Sequence, residues 1–426
     1  MHNIIDITTL IQEEKEHVLA TVEELPFLSS STIFSQQPYD TFLPHFYYAA
    51  QALEQIKNFY EYHVKSAFEG MGYNPEQLGI DMNYFFKGKY LRSLLGILIY
   101  GICTDFSCQL NYQKIHPDTF ERNTLKDEQT TFIPYGLATS LAVVELTHMA
   151  SLILDDAIDK SPRRRQAKTL WSYIGDEQTS LTSHKFLTRA SNIAGKLSDP
   201  YLRNRVASYT ESLMNGESIE LALQKYLKEL GKKPQKNPTF SENEITYLYD
   251  QQQSALLYKT APLLKLPVWI GALYAGLPVI DDHDDNRDSR LVEPFISFAE
   301  SLGILYQYID DRLDVMGEEK QTGKRVGHDL EQRIFSSVSF ALHLAPETTP
   351  AAKSLIYKAL TRTDDNDFGL VQEANAALRT FGVPHLDQMI NTERIDLLEI
   401  IPKLTNNQLY QQLLQLVVTM IIGRNK

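Results

Sequence analysis

Asp155, Asp156 and Asp159 place three carboxylates close together in the stretch ELTHMASLILDDAIDKSPRRR, residues 145–165. Leu146, Met149, Leu152, Ile153 and Ile158 recur around them at helical spacing. On a helix, Asp155 and Asp159 are one turn apart and Asp156 is three residues from Asp159. The spacing therefore predicts that all three converge on one patch. Carboxylates so close repel one another and call for a cation. Hard oxygen donors suit Mg²⁺, which keeps several waters and is completed by phosphate oxygens. His148, seven residues before Asp155, falls on the same face two turns away. Arg164 and Arg165 follow the motif directly. Metal-binding anions beside arginines suit a diphosphate gripped from two sides. Taken alone, the same residues also read as a solvated acidic helix end with a basic loop.

A second acidic helix, LGILYQYIDDRLD at 302–314, carries Asp310, Asp311 and Asp314. Gln307 is one turn before Asp311 and shares its face. Two apolar helices, each ending in the same DDxxD pattern, would hold metal ions between two walls of a bundle. Burying so many charges without a ligand would be costly. Three basic elements complete the set. Lys89 and Arg92, in KGKYLR, share a face at a helix start, which favours anions. Lys259-Thr260 follows an apolar, tyrosine-containing helix. Gly323-Lys324-x-x-Gly327-x-Asp329 supplies glycines for close backbone approach to a phosphate, and a lysine for charge. Singly, each is also an ordinary surface lysine or loop.

The elements that must position these residues read as helices. They are expected at about 46–70, 82–103, 135–160, 168–195, 198–231, 242–262, 266–276, 291–317, 328–344, 350–362, 366–381, 392–402 and 406–423, and no strand pair is expected. Polar loops fall at 104–131, 232–238 and 281–290. Residues 1–45 read as an N-terminal extension, with an amphipathic helix over 1–24 and a Pro- and Ser-containing linker. Residues 46–426 read as a single all-α domain with a long C-terminal helical part.

With 426 residues and 43% hydrophobic content, the chain can bury a large core. A net charge of −13 argues against nucleic acid as a partner. Only two cysteines, Cys103 and Cys108, fit a reducing compartment, and a cytoplasmic location is expected. Neither a signal peptide nor a transmembrane segment is expected. The apolar stretch 413–422 is too short to span a bilayer. Oxygen-bearing residues over 282–293 resemble a calcium loop, but Arg287 stands where such a loop needs glycine.

Taken together, the motifs resemble the trans-isoprenyl diphosphate synthase (polyprenyl synthetase) family, in order across about 86–330. GKYLR resembles the family's GGKRxR, and ELTHMASLILDD its ExxHxxSLxxDD. DDAID with Arg164-Arg165 resembles its first aspartate-rich motif. Lys259-Thr260 resembles its KT pair, LGILYQYIDDRLD its LGxxxQxxDDxxD, and GKRVGHDL its GKxxGxDL. The resemblance implies a class I isoprenoid synthase helical bundle around a central metal and diphosphate cavity. It implies a Mg²⁺-dependent prenyltransferase that joins an allylic diphosphate to isopentenyl diphosphate in 1'-4 fashion, and a homodimer. Both aspartate motifs would bind Mg²⁺, namely Asp155, Asp156, Asp159, Asp310, Asp311 and Asp314. Arg164, Lys259 and Lys324 would ground the allylic diphosphate. Lys89, Arg92, His148 and Arg165 would bind isopentenyl diphosphate, with Thr260 and Gln307 also substrate-binding.

The departures from the family pattern are Tyr90, Gln166, Ser183-His184 and the Gln332–Phe335 stretch, together with the sizes of the 104–131 loop and the terminal parts. Two alternatives stay open: a class I terpene cyclase, and a non-catalytic subunit of a heteromeric synthase. Product length is read from Ala150 and Ser151, roughly 6–7.5 Å below Asp155 along the helix. Short-chain relatives carry an aromatic floor at the Ala150 position. Small side chains there imply a product of C20 or longer, unless a bulky neighbour such as Phe186 plugs the channel lower down.

Overall fold

Residues 39–68, 75, 77–86, 90–104, 133–164, 167–197, 200–233, 238–277, 292–317 and 326–423 are described by the computed structural model. The first helices are α1 (Tyr39–Phe68), a single turn α2 (Asn83–Phe86), α3 (Leu91–Thr104) and α4 (Tyr135–Ile158). A short antiparallel hairpin follows, β1 (Arg163–Arg164) with β2 (Ala167–Lys168), pairing Arg163 with Lys168 and Arg164 with Ala167. Then come α5 (Trp171–Ala194), α6 (Pro200–Leu230), α7 (Glu242–Lys259), α8 (Pro262–Tyr274) and α9 (Glu293–Met316). The C-terminal part holds α10 (His328–Glu331), α11 (Ser337–Leu344), α12 (Pro350–Thr361) and α13 (Phe368–Ala377). A π-turn (Leu378–Gly382) leads into α14 (Val383–Leu404), and α15 (Gln408–Ile422) closes the chain.

The bundle is organised around α4, which packs against α1, α3, α5, α6 and α8. A helix apolar on every side must be buried. Leu137, Leu141, Leu146 and Ile153 are all fully buried. Each such side chain stabilises by roughly 2 kcal/mol. A one-residue slip would turn the helix by about 100° and expose part of that set, so burial fixes which way the acidic residues point. Among the described residues α4 is also the one helix long and apolar enough to cross a membrane, but 78% of its most apolar window is buried inside the protein. Its apolarity is taken up by the core.

Where α3 crosses α8, two glycines meet. A Cβ on Gly271 would overlap the Gly96 carbonyl, and one on Gly96 would lie 3.0 Å from the Pro267 carbonyl. That close crossing ties the helix carrying Arg92 to the helix that follows Lys259.

The architecture agrees with the all-α expectation, with these local differences. First, α1 starts at Tyr39, inside the expected 1–45 linker. Pro44 has a helix-compatible φ and forfeits only one intrahelical bond. Second, the helix expected over 82–103 is two pieces, and Tyr90 between them has a left-handed φ of 47°. Third, the break after α7 falls at Thr260 and Ala261, because Pro262 opens the next helix at its first position. Fourth, the segment expected as one helix over 328–344 is broken by Arg333 (φ 60°). Fifth, α14 begins at Val383, not near 392, and the β1–β2 hairpin is a strand pair that the pattern did not predict. The 1–24 helix and the 281–290 loop lie outside the described residues.

Candidate active site

The site begins where α4 ends. Asp159 caps the helix, donating its N–H to the Asp155 carbonyl at 2.8 Å. Lys160 then turns left-handed (φ 51°), and the Ser161 N–H bonds back to the Asp156 carbonyl at 3.0 Å. This is the long bond of a Schellman stop. The stop sends the chain into the β1–β2 hairpin, which folds Arg164 back over the helix end. Arg164 Nε donates to Asp156 Oδ1 at 2.8 Å, and the Tyr84 hydroxyl donates to Asp156 Oδ2 at 2.7 Å.

Asp156 is fully buried. Burial raises its carboxyl pKa, while the Arg164 charge and the bond from Tyr84 act to lower it. Both its oxygens are engaged by protein donors, although the Asp155 charge still acts on it. At one residue's offset it lies about 100° round the helix from Asp155, and there it meets α2 and the hairpin.

Asp155 faces α7. Lys259 Nζ lies 3.5 Å from Asp155 Oδ1, 2.8 Å from Glu220 Oε2, and in contact with Glu217 Oε1. Gly216 makes this approach possible, because a Cβ there would stand 3.0 Å from the Lys259 Cβ. Burial works against the Lys259 charge, but Asp155, Glu220 and Glu217 outweigh it and raise its pKa well above the usual value. Burial and then the neighbouring charge of Asp155 push the Glu217 carboxyl up to about 9, against the pull of Lys259. Three carboxylates round one ammonium leave an excess of negative charge. Glu217 and Glu220 were not among the expected site residues. Their signal was the i, i+3 spacing in NGESIE, which any solvated helix face also shows.

The second wall is tied to the first through Thr260. Its hydroxyl donates to Gln307 Oε1 at 3.2 Å, and Gln307 Nε2 donates to Asp311 Oδ1 at 2.7 Å. The Ser337 N–H takes Asp311 Oδ2 at 2.7 Å. Asp311, 3% exposed, therefore matches Asp156: the second aspartate of each motif is absorbed by internal donors. Asp310 and Asp314 remain partly exposed. Asp314 Oδ2 accepts the Asp329 N–H at 3.1 Å, and its carbonyl accepts the Gly327 N–H at 2.9 Å. Gly327 has φ 82°, a conformation that favours glycine. The same turn aims His328 back across the cleft, with Nε2 at 3.7 Å from Asp159 Oδ2.

Other expected residues fall as follows. Arg92 and His148 are half-buried, at the start of α3 and on α4. Ala150 is fully buried, whereas Ser151 is half-buried and donates its hydroxyl to the His148 carbonyl at 2.8 Å. Lys89, Arg165 and Lys324, with Gln166, lie outside the described residues. Three of the departures have structural partners. The Tyr90 hydroxyl donates to the Phe86 carbonyl at 3.2 Å. The Ser183 hydroxyl donates to the Ala150 carbonyl at 2.7 Å and pins α5 to α4. Arg333 donates to the Arg362 carbonyl at 3.0 Å and pairs with Asp365, while Arg362 donates to the Leu330 carbonyl at 2.8 Å. These two buried arginines brace the turn behind Asp314.

A divalent cation with oxygen preference fits this chemistry. Asp155, Asp159, Asp310 and Asp314 offer carboxylates, and the raised Glu217 marks the excess negative charge. Among the described residues no group of three or more His, Cys, Asp or Glu side chains is placed to hold a metal ion by itself. That suits Mg²⁺, which takes few protein ligands and is completed by water and substrate phosphates.

Comparison with known proteins bears on the family and the fold. The Polyprenyl synthetase family model matches residues 76–378. The chain is 31% identical over 209 residues to a probable mitochondrial hexaprenyl pyrophosphate synthase of Neurospora crassa, covering 49% of this chain and 42% of that protein. It is 29% identical over 232 residues to heptaprenyl diphosphate synthase component 2 of Geobacillus stearothermophilus, covering 52% and 64%. The matched region thus spans about half the length of these curated relatives. In fold, it is similar to the crystal structure of heptaprenyl diphosphate synthase from Staphylococcus aureus, with a TM-score of 0.63 at 21% identity, covering 88% of this chain and 99% of that one. The all-α bundle is the isoprenoid synthase fold, and with more than half of its length matched, the chain belongs to the polyprenyl synthetase family.

Proposed function

We propose that the protein is a Mg²⁺-dependent prenyltransferase that extends an allylic diphosphate with isopentenyl diphosphate to a trans-prenyl diphosphate of C20 or longer. The observation that carries this is the pairing of two acidic helix ends across one cleft, bridged by Lys259, Thr260, Gln307 and His328. The relatives named above are hexaprenyl and heptaprenyl synthases, which supports a long product.

Asp155 and Asp159 from one wall, with Asp310 and Asp314 from the other, would hold magnesium. Bound magnesium would neutralise charge on the departing diphosphate. Lys259 and Arg164 would ground the same diphosphate as the C–O bond breaks, with Lys324 as a third cation. Binding would draw the Lys259 ammonium away from Glu217 and Glu220. Isopentenyl diphosphate would lie towards Lys89, Arg92, His148 and Arg165, its double bond facing the allylic carbon. An apolar pocket would exclude water from the developing cation. No side chain is required as a strong base, because the released diphosphate can take the proton. Asp156 and Asp311 hold the walls in place and are not needed as ligands.

A homodimer is proposed, supported by exposed apolar side chains on α6 and α7 (Leu221, Leu257 and Tyr258). The likeness to a protein named a component favours a second reading, in which a different subunit covers that surface. Sedimentation separates the two: a self-associated dimer of the purified chain at micromolar concentration supports the first, and monomer alone the second. Sparing use of cysteine supports the proposed cytoplasmic location, which cell fractionation tests. Purified protein incubated with Mg²⁺, labelled isopentenyl diphosphate and primers of increasing length tests the activity. Elongation that stops on chelation supports it, and cyclic hydrocarbon from a single diphosphate would instead indicate a cyclase.

A further inference from the structure

Both ends of the stretch from α2 to α3 are tied to α4, each by a buried carboxylate. At one end Tyr84, 3% exposed, donates its hydroxyl to Asp156 Oδ2 at 2.7 Å. At the other end Ser93 donates its N–H at 3.2 Å and its hydroxyl at 2.7 Å to Glu145 Oε1. Asp156 and Glu145 are eleven residues apart on α4, or roughly 16 Å along its axis.

The Tyr84 ring is held in turn. Phe85 packs edge-on against it with centroids 4.9 Å apart, and Phe85 is itself stacked on Phe186. The hydroxyl cannot swing away from Asp156 without disturbing that aromatic cluster. The other oxygen of Asp156 is bonded to Arg164 Nε. One buried carboxylate therefore joins the start of the Arg92-bearing stretch to a guanidinium of the cleft.

We infer that Tyr84 is a positioning residue: through Asp156 it fixes Arg164 for the allylic diphosphate. The inference rests on the prenyltransferase reading. It accounts for a tyrosine hydroxyl spent on an aspartate that already has an arginine. Without the hydroxyl, Asp156 Oδ2 is buried with no donor, and the carboxylate re-aims together with its arginine. The Ser93–Glu145 tie remains and keeps Arg92 in register.

The test compares wild type, Tyr84→Phe, Arg164→Lys and the double variant. Two readouts are used: calorimetric binding of inorganic diphosphate in the presence of Mg²⁺, and steady-state kinetics with both substrates. Tyr84→Phe is expected to weaken diphosphate binding and raise the allylic KM by about tenfold, the scale of a hydrogen bond to a charged group. The KM for isopentenyl diphosphate and the Mg²⁺ half-saturation should stay within about twofold, since neither Arg92 nor a metal ligand is released. In the Arg164→Lys background, Tyr84→Phe should add less than about twofold, because both act on one network. Unchanged diphosphate binding and allylic KM, or effects that multiply in the double variant, would overturn the inference. If circular dichroism shows Tyr84→Phe unfolded, Phe85→Leu replaces it, which loosens the ring packed against Tyr84 and leaves the Asp156–Arg164 pair intact. Weakened diphosphate binding and a raised allylic KM are again expected, and no change in either overturns the inference. A wild-type protein that neither binds magnesium diphosphate nor elongates a primer overturns the prenyltransferase reading itself, and this inference with it.

Discussion

His328 Nε2 lies 3.7 Å from Asp159 Oδ2, so the turn behind the second acidic helix touches the end of the first. The two motifs are far apart in sequence, and this contact is one of the places where their walls meet directly. The His328–Glu331 helix that carries it is held by Gly327 and Asp329 on Asp314. His328→Ala should therefore loosen the cleft without unfolding it. A partly exposed pair of this kind contributes about 0–1 kcal/mol to stability, so the melting temperature should hardly move. The Mg²⁺ concentration for half-maximal rate should rise several-fold. A large fall in melting temperature with unchanged metal dependence would show that His328 serves the core instead.

Asp156 and Asp155, though adjacent, should fail in different ways. Asp156→Ala leaves the Arg164 guanidinium buried beside an empty place, and breaking such a pair destabilises by about 3–5 kcal/mol. Urea unfolding should show the loss directly. Asp155→Ala removes one of three carboxylates round Lys259 and should leave the unfolding free energy within about 1 kcal/mol of wild type. Equal midpoints for the two variants would contradict the division between anchor and ligand.

How far the site was legible follows from these two residues. The apolar spacing round Asp155 required a helix, and burial of that helix fixed the direction of Asp155 and Asp159. Nothing local showed that Asp156 would turn to Tyr84, a partner 72 residues away, because that bond depends on how α2 docks. Asp311 was hidden for the same reason, since its partner Ser337 lies beyond a turn made by Arg333. A break between 262 and 266 was legible, but it falls slightly earlier, at Thr260 and Ala261, because Pro262 opens the next helix. Glu217 and Glu220 carried no distinguishing local signal of their own, because only the docking of α7 on Gly216 brings Lys259 between them. The β1–β2 hairpin is too short for a period-two pattern to register.

Product length should respond more cleanly at Ser151 than at Ala150. Ala150 is fully buried, with the Ser183 hydroxyl on its carbonyl, so Ala150→Phe overpacks a filled place and costs about 1–3 kcal/mol. Ser151 is half-buried, so a larger side chain there displaces less packed core. Ser151→Phe should shift the product distribution towards shorter chains at near-normal stability. Chromatography of the dephosphorylated products reads this out. Full activity with an unchanged distribution would place the chain's path elsewhere.

Cys103 should be chemically quiet. Burial pushes its thiol up to about 12, and only the thiolate is an effective nucleophile. The folded pKa lies above the unfolded one, so the contribution to stability is present at neutral pH and is lost as pH rises from about 9 towards about 12. In a Cys108→Ser protein, alkylation at pH 8 should be far slower in the native state than in denaturant. Comparable rates would mean that the α3 end opens readily.

The central claim is that both acidic walls act together on one diphosphate. Single-turnover elongation of a labelled allylic primer by wild type, Asp155→Ala and Asp310→Ala, each checked for helical circular dichroism, tests it most directly. The expected result is Mg²⁺-dependent elongation by wild type and a loss of about 10²-fold or more in each variant, the scale of removing a transition-state charge stabiliser. Near wild-type elongation by both folded variants would contradict the two-walled site.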